Sequence, residues 1–390
     1  MRKLFGIVFS SVLLLIVSAQ GTWAQKVKVY DLGHYKGGTW AEPREINNFG
    51  VVVGFGDVPP NFYTHPIGVP VFGPYAGQWF DLGTLGGDRT DSEVMCMAIA
   101  DTGMIVGHSA IVGNEIVHAF AWTPKSGMVD IGTLADLGYS GYNFSLAYGT
   151  NKAGTLIAGW SSTEFMGPGS LPVVWTPQVV WTSGRPITTW KIQKLDMGDF
   201  TSATGWLAMF ANDSGQIIGT ATTADGVQIA VLWNPLPRRG GWKIMQLPSF
   251  SDSYPSAEPT DINNRGEIVG DVATPDSSTN FPALWKPVEP PRKAYGLTVL
   301  PTLAGLLQGV GDAGDAEGIN DAGDIVGGSE DADGNYFASR WSTKDPNSVR
   351  LLLRVPEGWS LATKVNNNGI ATGSYSNATV TENTVAWQIR

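Results

Sequence analysis

Ile262-Asn263-Asn264-Arg265-Gly266-Glu267-Ile268-Val269-Gly270 decides the fold, because the chain contains it three times in nearly the same form. It returns as Ile46-Asn47-Asn48-Phe49-Gly50-Val51-Val52-Val53-Gly54 and as Ile319-Asn320-Asp321-Ala322-Gly323-Asp324-Ile325-Val326-Gly327, and looser copies fill the gaps. The first Gly of each copy gives the series Gly50, Gly103, Gly154, Gly215, Gly266, Gly323 and Gly369, at spacings of 53, 51, 61, 51, 57 and 46 residues. Seven markers define seven units. A second Gly follows four or five positions later, at Gly54, Gly107, Gly159, Gly219, Gly270, Gly327 and Gly373. An aromatic follows the first Gly by 18 to 22 positions: Trp122, Trp175, Trp233, Trp285, Trp341 and Trp387, with Phe72 expected in that place in the first unit.

Asn-x-x-Gly between two apolar runs predicts a hairpin in which Asn binds its own backbone and Gly takes a left-handed conformation without a Cβ clash. The short β-branched run after the turn predicts a second strand, and its Gly predicts close approach of a neighbouring sheet. Alternating residues up to the Trp, as in Ile229-Ala230-Val231-Leu232-Trp233, predict a third. Trp79-Phe80-Asp81-Leu82, Met128-Val129-Asp130-Ile131, Trp190-Lys191-Ile192, Trp242-Lys243-Ile244 and Val349-Arg350-Leu351 predict the fourth. Four strands in about fifty residues make a propeller blade.

The seventh unit stops at Arg390 with three strands, and the missing one is expected from the other end. Val27-Lys28-Val29-Tyr30-Asp31-Leu32-Gly33 precedes the first hairpin and ends in the same Asp-Leu-Gly as Asp81-Leu82-Gly83. Pairing it beside Trp387 removes two exposed sheet edges at once. The expected architecture is therefore an all-β, seven-bladed β-propeller of four-stranded antiparallel blades, closed by the N-terminal strand joining the last blade.

The string Asp81-Leu82-Gly83-Thr84-Leu85-Gly86-Gly87, followed by Gly103-Met104-Ile105-Val106-Gly107 and His118-Ala119-Phe120-Ala121-Trp122, resembles the repeat of the extracellular HAF-repeat family. Asp130-Ile131-Gly132-Thr133-Leu134 and Pro301-Thr302-Leu303-Ala304-Gly305 are weaker echoes. The resemblance implies export and a repetitive β-fold. It carries no catalytic residue or ligand to these positions.

Met1-Arg2-Lys3, the apolar run Leu4 to Ser18, and Thr22-Trp23-Ala24 read as a signal peptide over residues 1–24, with Gln25 as the mature start. Residues 25–390 then form one propeller domain, in which 25–33 complete the last blade. No segment approaches the roughly twenty apolar residues of a membrane helix, so the expectation is a secreted chain, extracellular or periplasmic, without a membrane span. Removing Arg2 and Lys3 leaves 23 of 25 basic residues against 35 acidic ones, spread without a basic cluster, which argues against nucleic acid. Cys96 is the only cysteine, so no internal disulfide contributes and stability rests on packing.

Function in a propeller belongs to the loops joining the fourth strand of one blade to the first strand of the next, around one channel mouth. Those loops are aromatic here. His34, Tyr35, Trp40, Arg44, Tyr142, Trp206, Tyr254 and Trp359 form the candidate ligand-binding set, with Tyr139, Phe144 and Phe250 nearby. Ring faces among carboxylates and amides suit a glycan or a protein segment. The leading expectation is a secreted binding or interaction module. The alternatives are a carbohydrate-active enzyme, a polysaccharide lyase or hydrolase using His34, Tyr35 and Arg44, and a structural envelope or matrix component. No catalytic set, metal or cofactor is assigned. His108 and His118 are expected on opposite sheet faces, and Asp331-Ala332-Asp333-Gly334-Asn335 lacks the Glu a calcium loop needs and reads as a hairpin turn. Asp312, Asp315 and Glu317 read as an acidic surface loop.

Deleting residues 26–32 is expected to open the ring. The melting temperature should drop sharply; an unchanged value would refute closure by this segment.

Overall fold

A computed structural model describes residues 27 to 390, apart from 88–93, 114, 166, 184, 201–202, 239, 250–255, 274–278, 289–293 and 306–312. The signal-peptide segment and Gln25 lie outside the described residues. Seven four-stranded antiparallel sheets follow one another around a ring. Their strands are lettered a to d from the channel outward. The a strands are Ala41–Ile46, Met95–Ile99, Phe144–Thr150, Ala203–Ala211, Ala257–Ile262, Gly314–Ile319 and Trp359–Val365. Each touches the a strand of the next blade, and the last touches the first, so together they form the wall of the central channel.

The closure is as the sequence predicts. Lys28–Gly33 pairs antiparallel with Val380–Gln388, placing Val29 opposite Trp387 and Tyr30 opposite Ala386. One sheet thus takes strand d from the start of the chain and strands a to c from its end.

The Asn-x-x-Gly turns adopt the expected form. The first Gly of every unit has a positive φ, between 68° at Gly154 and 83° at Gly323. Asn320 Oδ1 accepts from the backbone N–H of Ala322 at 3.1 Å and of Asp324 at 2.9 Å, which fixes the turn. Its Nδ2 donates across the blade boundary to Asn366 O at 2.9 Å. Asn212 reaches Asn263 O, Asn263 reaches Asn320 O, and Asn366 reaches Asn47 O in the same manner, the last joining residues 319 apart in sequence.

The following turn residue builds a complete second circuit. Asn48 N donates to Asp101 Oδ1, Asp101 N to Lys152 O, Ala153 N to Asp213 Oδ1, and Asp213 N to Asn264 Oδ1. Asn264 N donates to Asp321 Oδ1, Asp321 N to Asn367 Oδ1, and Asn367 N back to Asn48 Oδ1. Every blade is held to the next at its a–b turn.

The second Gly has a different cause from the one the sequence suggests. Every a–b pair carries a bulge at the same place, at Arg44, Met97, Tyr148, Met209, Thr260, Glu317 and Thr363. The bend pushes the carbonyl two residues earlier against strand b of the same blade. A Cβ on Gly54 would lie 1.9 Å from Glu42 O, and one on Gly219 1.9 Å from Leu207 O. The close approach is to the blade's own inner strand, not to a neighbouring sheet.

The Trp layer is buried as expected in most blades: Trp175, Trp233, Trp285, Trp341 and Trp387 are among the largest fully buried side chains. Trp233, Trp285 and Trp341 donate their indole N–H to Asp196 O, Pro248 O and Pro301 O of the preceding blade, at 2.6, 2.6 and 2.7 Å. Blade one departs from the pattern. Val69 occupies the register position of the Trp, opposite Val52, while Phe72 is exposed and packs its edge on Tyr30. Trp79, just before strand d, supplies the indole and donates to Leu32 O at 2.9 Å.

The Asp-Leu-Gly-Thr-Leu segment and its echoes act as a joint. Asp81 accepts from Gly83 N at 2.8 Å and lies 2.9 Å from His65 Nδ1; Asp130 accepts from Gly132 N at 2.8 Å and lies 2.6 Å from His118 Nδ1. The Leu that follows docks on a Ser of the next blade: Leu85 N donates to Ser109 Oγ at 2.9 Å, Leu134 N to Ser161 Oγ at 3.2 Å, and Leu303 N to Ser329 Oγ at 2.7 Å.

Gly219→Ala should cost about 3 kcal/mol, since backbone would have to move away from the new methyl. Asn320→Ala should cost about 2 kcal/mol by orphaning buried turn donors. Phe49→Ala, at a 74 % exposed position in an equivalent turn, should stay within about 0.5 kcal/mol. Urea unfolding of the three variants checks the ranking.

Candidate functional site

The bulges aim side chains into the channel. On blades one, five and six the a strands present carboxylates: Glu42 and Glu45, Glu258 and Asp261, Asp315 and Glu317. Asp271, on strand b of blade five, joins them by accepting from Ala316 N at 3.2 Å. Asp315 and Glu317 are therefore part of the channel wall and not a surface loop, while Asp312 lies outside the described residues. Arg44 and Lys364 answer these acids, and Lys152 also bears on Glu45.

Lys364 closes the end of the channel nearest the a–b turns. Its Nζ donates to Thr260 O and Glu317 O, both at 2.7 Å, lies 3.6 Å from Asp261 Oδ2, and sits 4.0 Å from the centre of the Phe210 ring. A blade-seven side chain thus reaches blades four, five and six, and it is 4 % exposed. Toward the other end the wall is wetter. Arg44 Nη2 pairs with Glu42 Oε1 at 2.9 Å with about a third of each side chain exposed, 34 % and 31 %. The site is a well with a cationic floor, acidic walls and a rim at the d–a and b–c loops.

Electrostatics follow from the crowding. Burial raises Glu45 to about 7, with Lys364 pulling it down and Asp261 pushing it up. Burial likewise raises Glu317 to about 7, opposed by Lys364 and reinforced by Asp315. Asp271 is held well above the carboxylate range by burial and then by Asp315 and Glu317. Glu258 is raised by burial and by Asp315. Burial also raises Asp315, whose Oδ2 accepts from the Tyr336 hydroxyl. The well therefore holds protons near neutral pH, and its carboxyls can both donate and accept hydrogen bonds.

The sequence-predicted site residues are dispersed. Arg44 faces the well and lies over Phe55 at 5.1 Å, and Trp40 meets the edge of the same ring at 5.7 Å, so these two are brought together. Tyr35 packs against Ala41, Val58 and Ile67, and His34 Nδ1 lies 3.1 Å from Tyr35 O. Tyr142 donates to Gly169 O at 3.2 Å and packs against the blade-two and blade-three core. Trp206 is 3 % exposed, wedged between Phe200 and Trp233, and serves the core. Trp359 is 37 % exposed at the start of its a strand. Tyr254 and Phe250 lie outside the described residues.

The histidine pair behaves as expected: Ser109 pairs with His118 and His108 with Ala119, so the two rings face opposite ways. His108 is buried, and among the described residues neither ring nitrogen has a hydrogen-bond partner; burial together with Arg44 pushes it down to about 3. Asp331 to Asn335 forms the expected hairpin turn, with Gly334 at φ 77°. Among the described residues no group of three or more His, Cys, Asp or Glu has the arrangement of a metal site.

No protein-family model matches the chain, and no curated protein matches it. Solved structures do. The β-propeller domain of the Trilobed protease from Pyrococcus furiosus, described as having an open velcro topology, superposes with a TM-score of 0.53 at 11 % identity, over 90 % of this chain and 97 % of that one. Trypanosoma rangeli sialidase superposes with a TM-score of 0.46 at 10 % identity, over 94 % of this chain, which spans 60 % of the sialidase's length. At such identities the likeness speaks for the propeller fold alone.

The well makes stability depend on pH. Glu45 and Glu317 bind protons more tightly folded than unfolded, where their value is 4.5. Their contribution is complete below that value and is lost as pH rises through about 7. The melting temperature should fall between pH 5 and 8, and Glu317→Gln should flatten the decline; a profile unchanged by that substitution would contradict the assignment.

Proposed function

We propose that the chain is a secreted binding module that admits a cationic or hydroxyl-rich segment of a glycan or protein into the acidic well. One observation carries this reading: seven carboxyls from blades one, five and six face a space in which, among the described residues, they outnumber the counter-charges Arg44, Lys364 and Lys152. A ligand amine or guanidinium would relieve their mutual repulsion and lower the raised carboxyls, while sugar hydroxyls would find donors and acceptors side by side. Trp40 and the Arg44–Phe55 stack lie toward the rim, where a ring or aliphatic stem can rest. The resemblance to the HAF-repeat family, with the export it implies, belongs to this proposal.

A second reading has its own observation. A carboxyl that holds its proton near neutral pH within a group of carboxyls is what the general acid of glycoside cleavage requires. Carbohydrate-active chemistry would then centre on Glu258, Asp315 and Glu317, in place of His34 and Tyr35.

Titration with basic peptides and amino-sugar oligomers should give saturable binding that Glu258→Gln with Asp315→Asn weakens at least about tenfold. Absence of binding from both panels, or binding indifferent to the double variant, would overturn the first reading. New reducing ends from a polysaccharide panel, lost in Glu317→Gln, would favour the second.

A further inference from the structure

Blade three carries a feature its neighbours lack. Its strands c and d, Leu171–Thr182 and Arg185–Lys194, have 12 and 10 residues, against 8 and 5 for Gln228–Pro235 and Trp242–Gln246 in blade four. Trp175 is the last fully buried side chain of strand c. Beyond it the hairpin continues for six rungs, from Pro177 opposite Trp190 to Thr182 opposite Arg185. At about 3.3 Å per residue, it projects about 20 Å past the end bearing the a–b turns.

The projecting part is apolar on both faces. Val179 and Trp181 point to one side, 64 % and 69 % exposed, while Val180 and its cross-strand partner Ile187 point to the other, 40 % and 45 % exposed. A protein partner laid against a hairpin covers one face. Apolarity on both suits a medium that surrounds the tip.

Charge points the same way. No Asp or Glu occurs between Glu164 and Asp196, although the chain has 35; the projecting part carries Arg185 at its tip, and Lys191 stands opposite Thr176 at its base. The adjacent c–d hairpin of blade four is likewise free of acids between Asp225 and Asp252 and exposes Arg238 and Lys243. The acids of the turn circuit, Asp101, Asp213 and Asp321, share this end of the molecule. The projection sets the tip about two Debye lengths beyond them at physiological salt.

We infer that the blade-three hairpin is a peripheral membrane anchor: its tip enters the interfacial layer of an anionic lipid bilayer, with Trp181 at headgroup depth, Arg185 against the lipid phosphates, and Lys191 at the base of the projection within reach of their field. The channel rim, at the opposite end, then faces away from the lipid.

Vesicle flotation of the full chain tests this. The protein should rise with phosphatidylcholine–phosphatidylglycerol vesicles, far less with pure phosphatidylcholine, and less in high salt. Trp181→Ser with Ile187→Ser should reduce the bound fraction at least about tenfold, and Arg185→Glu with Lys191→Glu by a similar factor. These positions lie outside the core, so the variants should melt as the parent does. Independently of any folding effect, brominated phosphatidylglycerol should quench the parent's fluorescence and should quench Trp181→Phe much less. Failure to float, or flotation and quenching indifferent to these substitutions, would overturn the anchor. So would a dimer that Trp181→Ser dissolves in a protein that ignores vesicles. Binding to a soluble anionic polysaccharide that needs Arg185 and Lys191 but not Trp181 would also overturn it.

Discussion

The structure depends on the circuit of hydrogen bonds that passes from a–b turn to a–b turn and returns to its origin at Asn48. Each link costs the chain little, because a turn must expose N–H groups in any case and the side chain of the next blade's second turn residue sits where they point. What the circuit adds is angular definition. Seven links at the same place on each blade, six to a side-chain oxygen and one to Lys152 O, leave one ring size, and the buried Asn47, Asn212, Asn263, Asn320 and Asn366 tie the turn's shape to the neighbour's position. Since the same Asn oxygen shapes the hairpin and the same amide spans the boundary, local folding and assembly of the ring are one event.

The bulge and its glycine convert this scaffold into a site. A regular a strand would alternate between the channel and the blade interior. The extra residue rotates the backbone so that consecutive positions, such as Arg44 and Glu45, both gain access to the channel. The glycine opposite absorbs the displaced carbonyl. The repeated part therefore has no say in chemistry: every blade offers the same aimed positions, and the residues placed there differ freely, from Tyr148 and Phe210 to Asp261 and Lys364. Acids cluster on three blades, so the well is polarised across the ring.

The fold was legible because its causes repeat. Gly50 and its six counterparts, the Asn of the turns, and the Trp of strand c recur with a period that no local propensity could imitate, and the Asp-Leu-Gly ending of residues 31–33 revealed the missing strand by likeness to another blade. The site was poorly legible for the complementary reason. Asp315 and Glu317 stand among glycines and look like a solvated loop until the bulge turns them inward. Trp206 looks like a loop aromatic until its place in strand a is known. A signal existed: Glu42, Glu45, Glu258, Asp261 and Lys364 are charged residues in strands that elsewhere read Ala, Leu and Met. Only the ring brings their strands and that of Asp315 and Glu317, four in all and distant in sequence, to one wall. Val69, which holds the Trp position in blade one, shows the same limit on a smaller scale, since the indole of that blade comes from Trp79, just before strand d.

The seam at the last blade has a mechanical corollary. Lys28 faces Gln388, and Gly33 faces Thr384 at the far end of the pair. Tension applied between Lys28 and Gln388 would act on the first rung alone and then on each rung in turn, so the strands would peel and not slide. A load carried by the tip of one blade or by the outer faces would instead be shared among all the joints around the circle. The propeller is stiff against forces on its body and weak along a single line, and attachment through a hairpin far from that line keeps the weak line unloaded.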